Sequence, residues 1–313
     1  MDVLSDILRQ VKLRGSLYFR TEFTPPWGVR VPPYSNVARF HMVIRGKCWV
    51  AVDAKTVLDL RAGDFIVITR GAEHCLLSQP EAPVLTLDDV IAKSGFKGQG
   101  ALMYGGEDAA AQTSMVCGHF EFDPLGGKLF LDSLPPYILV RGSQQLNYGW
   151  LNEAMKFIEH EIQGNEMGAE AIVTRLSELL FIRVIRSLAP EADVGVFAAL
   201  RDRQIGRALE AIHSKPNAAW TLGALAVQAG MSRTAFAERA KTLLGMAPMH
   251  YVTYWRMELA RQRLEISADS VEQIAEIVGY QSPPAFIRAF KKHYGMGPGG
   301  YKKRLHSRLN LNS

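Results

Sequence analysis

The sequence predicts an α+β chain: a β-barrel of short strands at the N-terminal end, a helical segment behind it, and an all-α C-terminal domain holding two helix-turn-helix motifs. Three observations carry that expectation. One unit is written twice near the C-terminus: Ser232/Ser282, Ala235/Ala285, Phe236/Phe286, Lys241/Lys291, Gly245/Gly295, Met246/Met296, Pro248/Pro298 and Tyr251/Tyr301 are each 50 residues apart. The hydrophobic period is strand-like from Ser16 to Phe122 and helix-like from Gly149 onward. Charge is also divided, with residues 1–150 at net 0, 151–195 at net −4 and 196–313 at net +9, within a total of +5.

At 313 residues and 48% hydrophobic content the chain has room for two packed cores. The composition shifts divide it into residues 1–148, 149–195 and 196–313. No run of 18 apolar residues occurs, and the opening M-D-V-L-S-D carries no basic leader, so a cytoplasmic protein without a membrane partner is expected. Three cysteines, Cys48, Cys75 and Cys117, lack C-x-x-C spacing and point to neither a disulfide framework nor a zinc finger.

Residues 2–14 place Leu4, Ile7, Leu8 and Val11 on one face behind Asp2, which predicts a capped amphipathic helix. Strands are expected at 17–23, 27–31, 38–44, 48–53, 65–69, 75–77, 84–89 and 115–122, between Pro-Pro, Gly and Asp turns. Residues 95–114 read as a glycine-rich surface loop, because G-Q-G-A-L-M lacks the strand-before, helix-after setting of a phosphate cradle. Two helical stripes follow: Leu151, Ala154, Met155, Ile158 and Ile162, then Ile172, Val173, Leu176, Leu179, Leu180, Val184 and Leu188, with Pro190 as the stop. They suit packing on the barrel and pairing of subunits equally. Residues 191–197 read as a linker and 198–213 as a helix. Thr221 and Ser270 are placed to cap the first helix of each hairpin, Ser270 with Gln273 as a capping box.

In each repeat a short helix ends at a glycine (Gly230, Gly279), and a serine (Ser232, Ser282) then caps the next helix. Phe236 with Ala240, and Phe286 with Phe290, lie four apart and face inward, which turns the residues between them outward. The candidate DNA-contacting residues are therefore Arg233, Thr234, Ala237, Glu238 and Lys241 in the first copy and Pro284, Ile287, Arg288, Lys291 and Lys292 in the second. A connecting helix over 248–264 would hold the hairpins apart; a spacing of roughly 34 Å would let one chain read two consecutive major grooves. The +9 excess of this region is the charge expected of phosphate binding.

Residues 196–308 resemble the DNA-binding domain of the AraC/XylS transcription regulators, on W-T-L-G-A-L-A-V-Q-A-G-M-S from Trp220, Y-W-R-M-E-L-A from Tyr254 and I-A-E-I-V-G-Y-Q-S-P-P-A-F-I-R-A-F-K-K-H-Y-G-M-G-P from Ile274. Upstream, G-D-F-I-V-I-T-R-G-A-E-H from Gly63 is similar to the second motif of cupin barrels, with Thr69 where proline and Ser78 where asparagine is usual. His41 fits the first motif, while Arg39 and Arg45 stand where metal-binding cupins carry a histidine and a glutamate. Two cations there argue against a metal, and no cofactor is expected.

The resemblance implies a cupin-like domain that binds a small effector through Arg39, His41, Arg45 and His74. It also implies a homodimer acting on double-stranded DNA, with RNA polymerase as a further partner, and not an enzyme. Two alternatives remain open at this level: a thiol- or metal-responsive regulator using His41, His74, Cys75 and Cys117, and a cupin metalloenzyme.

Overall fold

The computed structural model describes residues 2–98, 100–106, 112–123, 127–142, 145–164, 166–188 and 195–309. The chain opens with α1 (Val3–Val11), capped as expected: the Leu4 N–H donates to Asp2 Oδ1 at 3.1 Å and the Ser5 hydroxyl to Oδ2 at 2.6 Å. Strands β1 (Arg14–Thr24), β2 (Gly28–Val31), β3 (Val37–Arg45), β4 (Lys47–Ala51), β5 (Val57–Arg61), β6 (Phe65–Ile68), β7 (His74–Leu77) and β8 (Leu85–Thr86) follow. Next come α2 (Leu87–Ser94), β9 (Ala101–Gly105), β10 (Thr113–Glu121), α3 (Lys128–Asp132) and β11 (Tyr137–Val140).

The strands form a six-stranded sheet, β11-β6-β3-β10-β1-β9, and a five-stranded sheet, β5-β4-β7-β2-β8. Among the described residues no ladder joins the two, so the expected barrel is an open sandwich. Side chains from both sheets share one core, with Phe23, Val43, Ile66 and Met115 from the first meeting Val29, Val50, Leu60 and Leu76 from the second. Strand β3 is buried on both faces through most of its length. Alternation puts Arg39, His41 and Val43 on the inner face and Phe40 and Met42 on the outer.

Helices α4 (Gln145–Gly164) and α5 (Ala169–Leu188) follow, and α5 covers that outer face. Phe181 lies 4.6 Å from Phe120, which stacks on Phe40 at 4.7 Å. Packing on the sheet is therefore one role of these helices. Phe157, Ile172 and Leu179 keep 49%, 39% and 58% of their surface exposed.

Three strands lie where none was expected. Strand β9 falls inside the supposed surface loop: it pairs in parallel with β1, Ala101 opposite Arg20 through Gly105 opposite Thr24. Such a strand is specified by its partner and carries little periodicity of its own. Strands β5 and β11 are short edge strands, five and four residues long. The expected strand over 84–89 is extended only at Leu85–Thr86, because Thr86 Oγ1 accepts from the Asp89 N–H at 3.2 Å and starts α2.

At the cupin-like motif, a Cβ on Gly71 (φ +58°) would stand 1.8 Å from the Tyr34 carbonyl oxygen, so only glycine fits.

The described chain divides into two compact units: the sheets with α2, α4 and α5 make one, and α1, α3 and the C-terminal helices make the other. α1 and α3 thus group with the C-terminal helices and not with the strands. Linker residues 191–194 lie outside the described residues. The expected helix over 198–213 is two, α6 (Val196–Arg201) and α7 (Arg203–Ser214), because Asp202 interrupts it and accepts from the Gln204 and Ile205 N–H groups at 2.9 Å each. Beyond them lie α8 (Leu222–Ala229), α9 (Arg233–Leu244), α10 (Pro248–Ile266), α11 (Val271–Ile277), α12 (Pro283–Tyr294) and α13 (Pro298–Leu309). Thr221 caps α8, and Ser270 with Gln273 forms the capping box of α11, as expected.

Helix α10 carries the polar centre of this unit. Arg261, fully buried, donates to Glu258 at 3.2 Å, to Glu265 at 2.7 Å and to the Gln10 carbonyl of α1 at 3.2 Å. Tyr294 of α12 donates to Glu258 at 2.7 Å and Tyr301 of α13 to Glu265 at 2.9 Å. A guanidinium so buried is tolerable only when its charge and donors are answered in this way.

Beside it, His213 of α7 lies 2.9 Å from the Tyr251 hydroxyl and 3.4 Å from the Asp6 carboxylate. Burial outweighs the carboxylate's upward pull and lowers the ring from 6.5 to about 4. Nδ1–H then donates to Asp6 and Nε2 accepts from Tyr251, whose hydroxyl burial keeps protonated.

The folded ring refuses a proton that the unfolded ring accepts. The contribution is therefore full above pH 6.5 and is lost as the pH falls towards about 4. Urea unfolding of the parent and of His213→Gln across that range should diverge in slope, the parent losing up to about 3 kcal/mol more towards acid. Equal slopes would contradict a buried neutral ring.

Candidate functional site

The two hairpins repeat in three dimensions what the sequence repeats. Helices α8 and α9 are joined through Gly230 (φ 65°) and α11 and α12 through Gly279 (φ 84°). A Cβ at Gly279 would lie 2.6 Å from Asn217 Cα, so the turn also needs glycine for space. Ser232 Oγ accepts from the Ala235 N–H at 3.3 Å and Ser282 Oγ from the Ala285 N–H at 3.5 Å. Phe236 and Ala240 anchor α9 in the core, and Phe286 and Phe290 anchor α12.

On the opposite faces Arg233, Thr234, Glu238 and Lys241 of α9 are exposed, with Ala237 half-buried between them. On α12, Pro284, Ile287, Arg288, Lys291 and Lys292 are exposed. Among the described residues the side chains of Arg233, Glu238, Arg288, Lys291 and Lys292 make no hydrogen bond or ion pair. Arg239, next to Glu238, is committed instead: its guanidinium donates to Asp202 at 2.7 Å. Helix α10, 19 residues and so about 28 Å long at 1.5 Å per residue, links one hairpin to the other.

In the sandwich the four expected effector residues separate. Arg39, His41 and His74 are all buried and face inward, whereas Arg45, at the end of β3, is 62% exposed and pairs with Glu22 at 3.2 Å. The histidines form a directed chain. His74 Nδ1 lies 2.9 Å from the Ala72 carbonyl, which can only accept, so it carries the proton and Nε2 is an acceptor. His41 Nε2–H donates to it at 2.8 Å, leaving His41 Nδ1 to accept from the Cys117 thiol at 3.1 Å.

Each ring is neutral. Burial, then His74 and Arg39, hold His41 well below the ordinary histidine value; burial and Arg39 bring His74 to about 4 despite the opposing Ala72 carbonyl. In this arrangement every ring nitrogen has a protein partner. Among the described residues no three His, Cys, Asp or Glu side chains gather to hold one.

Cys75 does not join this cluster, since it alternates with His74 on β7 and takes the other face. The second thiol on the inner side is Cys48, 3.8 Å from the Met115 sulfur. Burial raises both inner thiols, Cys48 to about 12 with Asp64 adding to it, and Cys117 further still with Cys48 adding to it.

Two further residues were not anticipated, the buried His119 and Tyr18, which is 37% exposed. Tyr18 sits at a register shift of β1 and stacks on His119 at 4.8 Å, while Arg39 lies over its ring at 5.5 Å. His119 is Arg39's direct partner across β3 and β10. Its position two residues after Cys117 was the available signal, because strand alternation puts both on one face.

Residues 2–189 match the cupin family and residues 225–304 a helix-turn-helix domain family. An AraC-like transcription regulator of Streptomyces lividans is 33% identical over 97% of this chain and 98% of its own length. Another from Streptomyces antibioticus is 31% identical over 97% and 99%. The DNA-binding domain of AdpA, solved with a target DNA, is 29% identical, covering 34% of this chain and 96% of that one with a TM-score of 0.33. On the cupin match, which spans more than half the chain, and on relatives matched along nearly all of it, the chain belongs to the AraC-like transcription regulators, a helix-turn-helix DNA-binding family.

Proposed function

We propose that this regulator reads two consecutive major grooves of one operator with α9 and α12, and that a small molecule held in the sandwich controls the reading. The observation that carries it is the pair of equivalent exposed helix faces, each backed by a buried phenylalanine and each bearing cations with no partner among the described residues. The faces differ in chemistry. Arg233 and Glu238 suit the O6/N7 edge of guanine and the amino group of cytosine. Helix α12 begins with two prolines that add no donor or acceptor, so Arg288 is its base reader and Lys291 and Lys292 are phosphate contacts.

Dimerisation through α4 and α5 is supported by the exposed Phe157, Ile172 and Leu179, which remain apolar after α5 has covered the sheet. RNA polymerase is the further partner, as the second component of a regulated promoter. No helix among the described residues is long and apolar enough to cross a membrane. A regulator is favoured over a cupin enzyme because Arg39 and Arg45 stand at ligand positions and the histidine chain uses its own lone pairs. A thiol sensor is disfavoured by the two inner thiols, whose burial keeps them protonated.

Site selection with the full-length protein, repeated with a broad small-molecule library, tests this reading. Arg233→Ala or Glu238→Ala should relax base preference in one half-site by about 1–3 kcal/mol per lost contact. Arg288→Ala should do so in the other half, and Lys291→Ala should weaken all sequences alike. Affinity should fall steeply with salt through counterion release. A longer and stricter consensus under α12 than under α9 would overturn the division of roles, and operator binding blind to the whole library would overturn effector control.

The thiols give a separate measurement. Iodoacetamide should label Cys75 in the folded protein, with Cys48 and Cys117 reacting only as the sandwich unfolds. Rapid labelling of folded Cys117, with a matching change in operator affinity, would reinstate the thiol reading.

A further inference from the structure

The inner face of the sandwich holds one charge that the protein leaves unanswered. Arg39 is 5% exposed and its Nε has no hydrogen-bond partner. Among the described residues its guanidinium makes no hydrogen bond or ion pair, only the contact with the face of Tyr18 at 5.5 Å. The imidazoles of His41 and His74 are neutral and their nitrogens engaged. Glu121, two residues along from His119, is 55% exposed and bound to His119 at 3.0 Å. Elsewhere this chain treats a buried guanidinium very differently: Arg261 meets two carboxylates and a carbonyl. A buried cation without a counter-ion is unfavourable, and an anion beside Arg39 would relieve that cost.

We infer that Arg39 anchors a small organic carboxylate, which is the effector of this regulator. The inference rests on the effector control proposed above and specifies its ligand. One guanidinium among neutral histidines matches a single negative charge; a dianion would leave half its charge buried and unpaired. The planar fork of arginine fits two carboxylate oxygens. Tyr18 and His119, stacked at 4.8 Å, supply an aromatic wall for the organic part. The Nδ1 of His119, buried and unpartnered, is left to accept from a ligand hydroxyl or from water.

The test compares propionate and benzoate with propionamide and benzamide at constant ionic strength, reading the melting of the full-length protein and its affinity for the selected operator. The carboxylates should raise the melting temperature and shift operator affinity; the isosteric amides should do neither. Arg39→Met, which keeps the length and removes the charge, should melt at or above the unliganded parent and bind the carboxylates about 10- to 100-fold more weakly. Arg39→Lys, charged but without the fork, should fall between.

An equal response to the amides, or an undiminished carboxylate response in Arg39→Met, overturns the inference. So does a parent indifferent to carboxylates whose Arg39→Met variant unfolds, because the guanidinium is then structural. Effector control itself survives any of these if uncharged members of the library move operator affinity. It falls only if none does.

Discussion

The C-terminal unit depends on the cost of burying the Arg261 guanidinium. Its three acceptors lie on α10 itself and on α1, and the carboxylates it holds are gripped in turn by Tyr294 of α12 and Tyr301 of α13. One charge thus fixes the connecting helix against the second hairpin and the N-terminal helix together. Hydrophobic packing around Phe286 and Phe290 would tolerate small rotations of α12. The directional bonds to Glu258 and Glu265 would not, and the angle at which α12 presents its exposed face follows from them.

The sandwich solves an opposite problem. Its inner face carries arginine, two linked histidines and the Cys117 thiol in a place where most cores are apolar, and the histidines and that thiol are serially satisfied while Arg39 is not. Only the Ala72 carbonyl at one end has a fixed role as acceptor, yet that role decides the tautomer of His74, then of His41, and then the direction of the Cys117 thiol. Cupin-like positions are kept, with arginine at 39 and 45 where metal-binding cupins carry ligands. The arginine at 39 both repels a cation and leaves the interior with a positive charge.

How much of this was legible in the sequence varies with the range of the interaction. The hairpins were, because their signals are local: a capping serine, a glycine with positive φ and phenylalanines four apart. The resemblance to the first cupin motif likewise picked out Arg39 and His41, which strand alternation then puts on one face. Arg45 shares their parity, but β3 runs out of the core before reaching it, and no local pattern marks where a sheet ends. Cys75 was grouped with Cys117 on residue type, although the parity of β7 separates it from His74. Strand β9 and the true owner of α1 were invisible for one shared reason, since each is specified by a partner distant in the chain.

The ownership of α1 has a consequence for biosynthesis. α1 is made before the whole sandwich, while its partners, His213 on α7 and Arg261 on α10, are made after it. Until then Val3, Ile7 and Val11 have no core to enter, and the C-terminal unit has its most distant sequence contact still to close. The strands can condense as soon as β11 emerges, whereas the C-terminal unit waits for helices made on either side of the sandwich. A nascent chain carrying a complete sandwich therefore still holds α1 without its core.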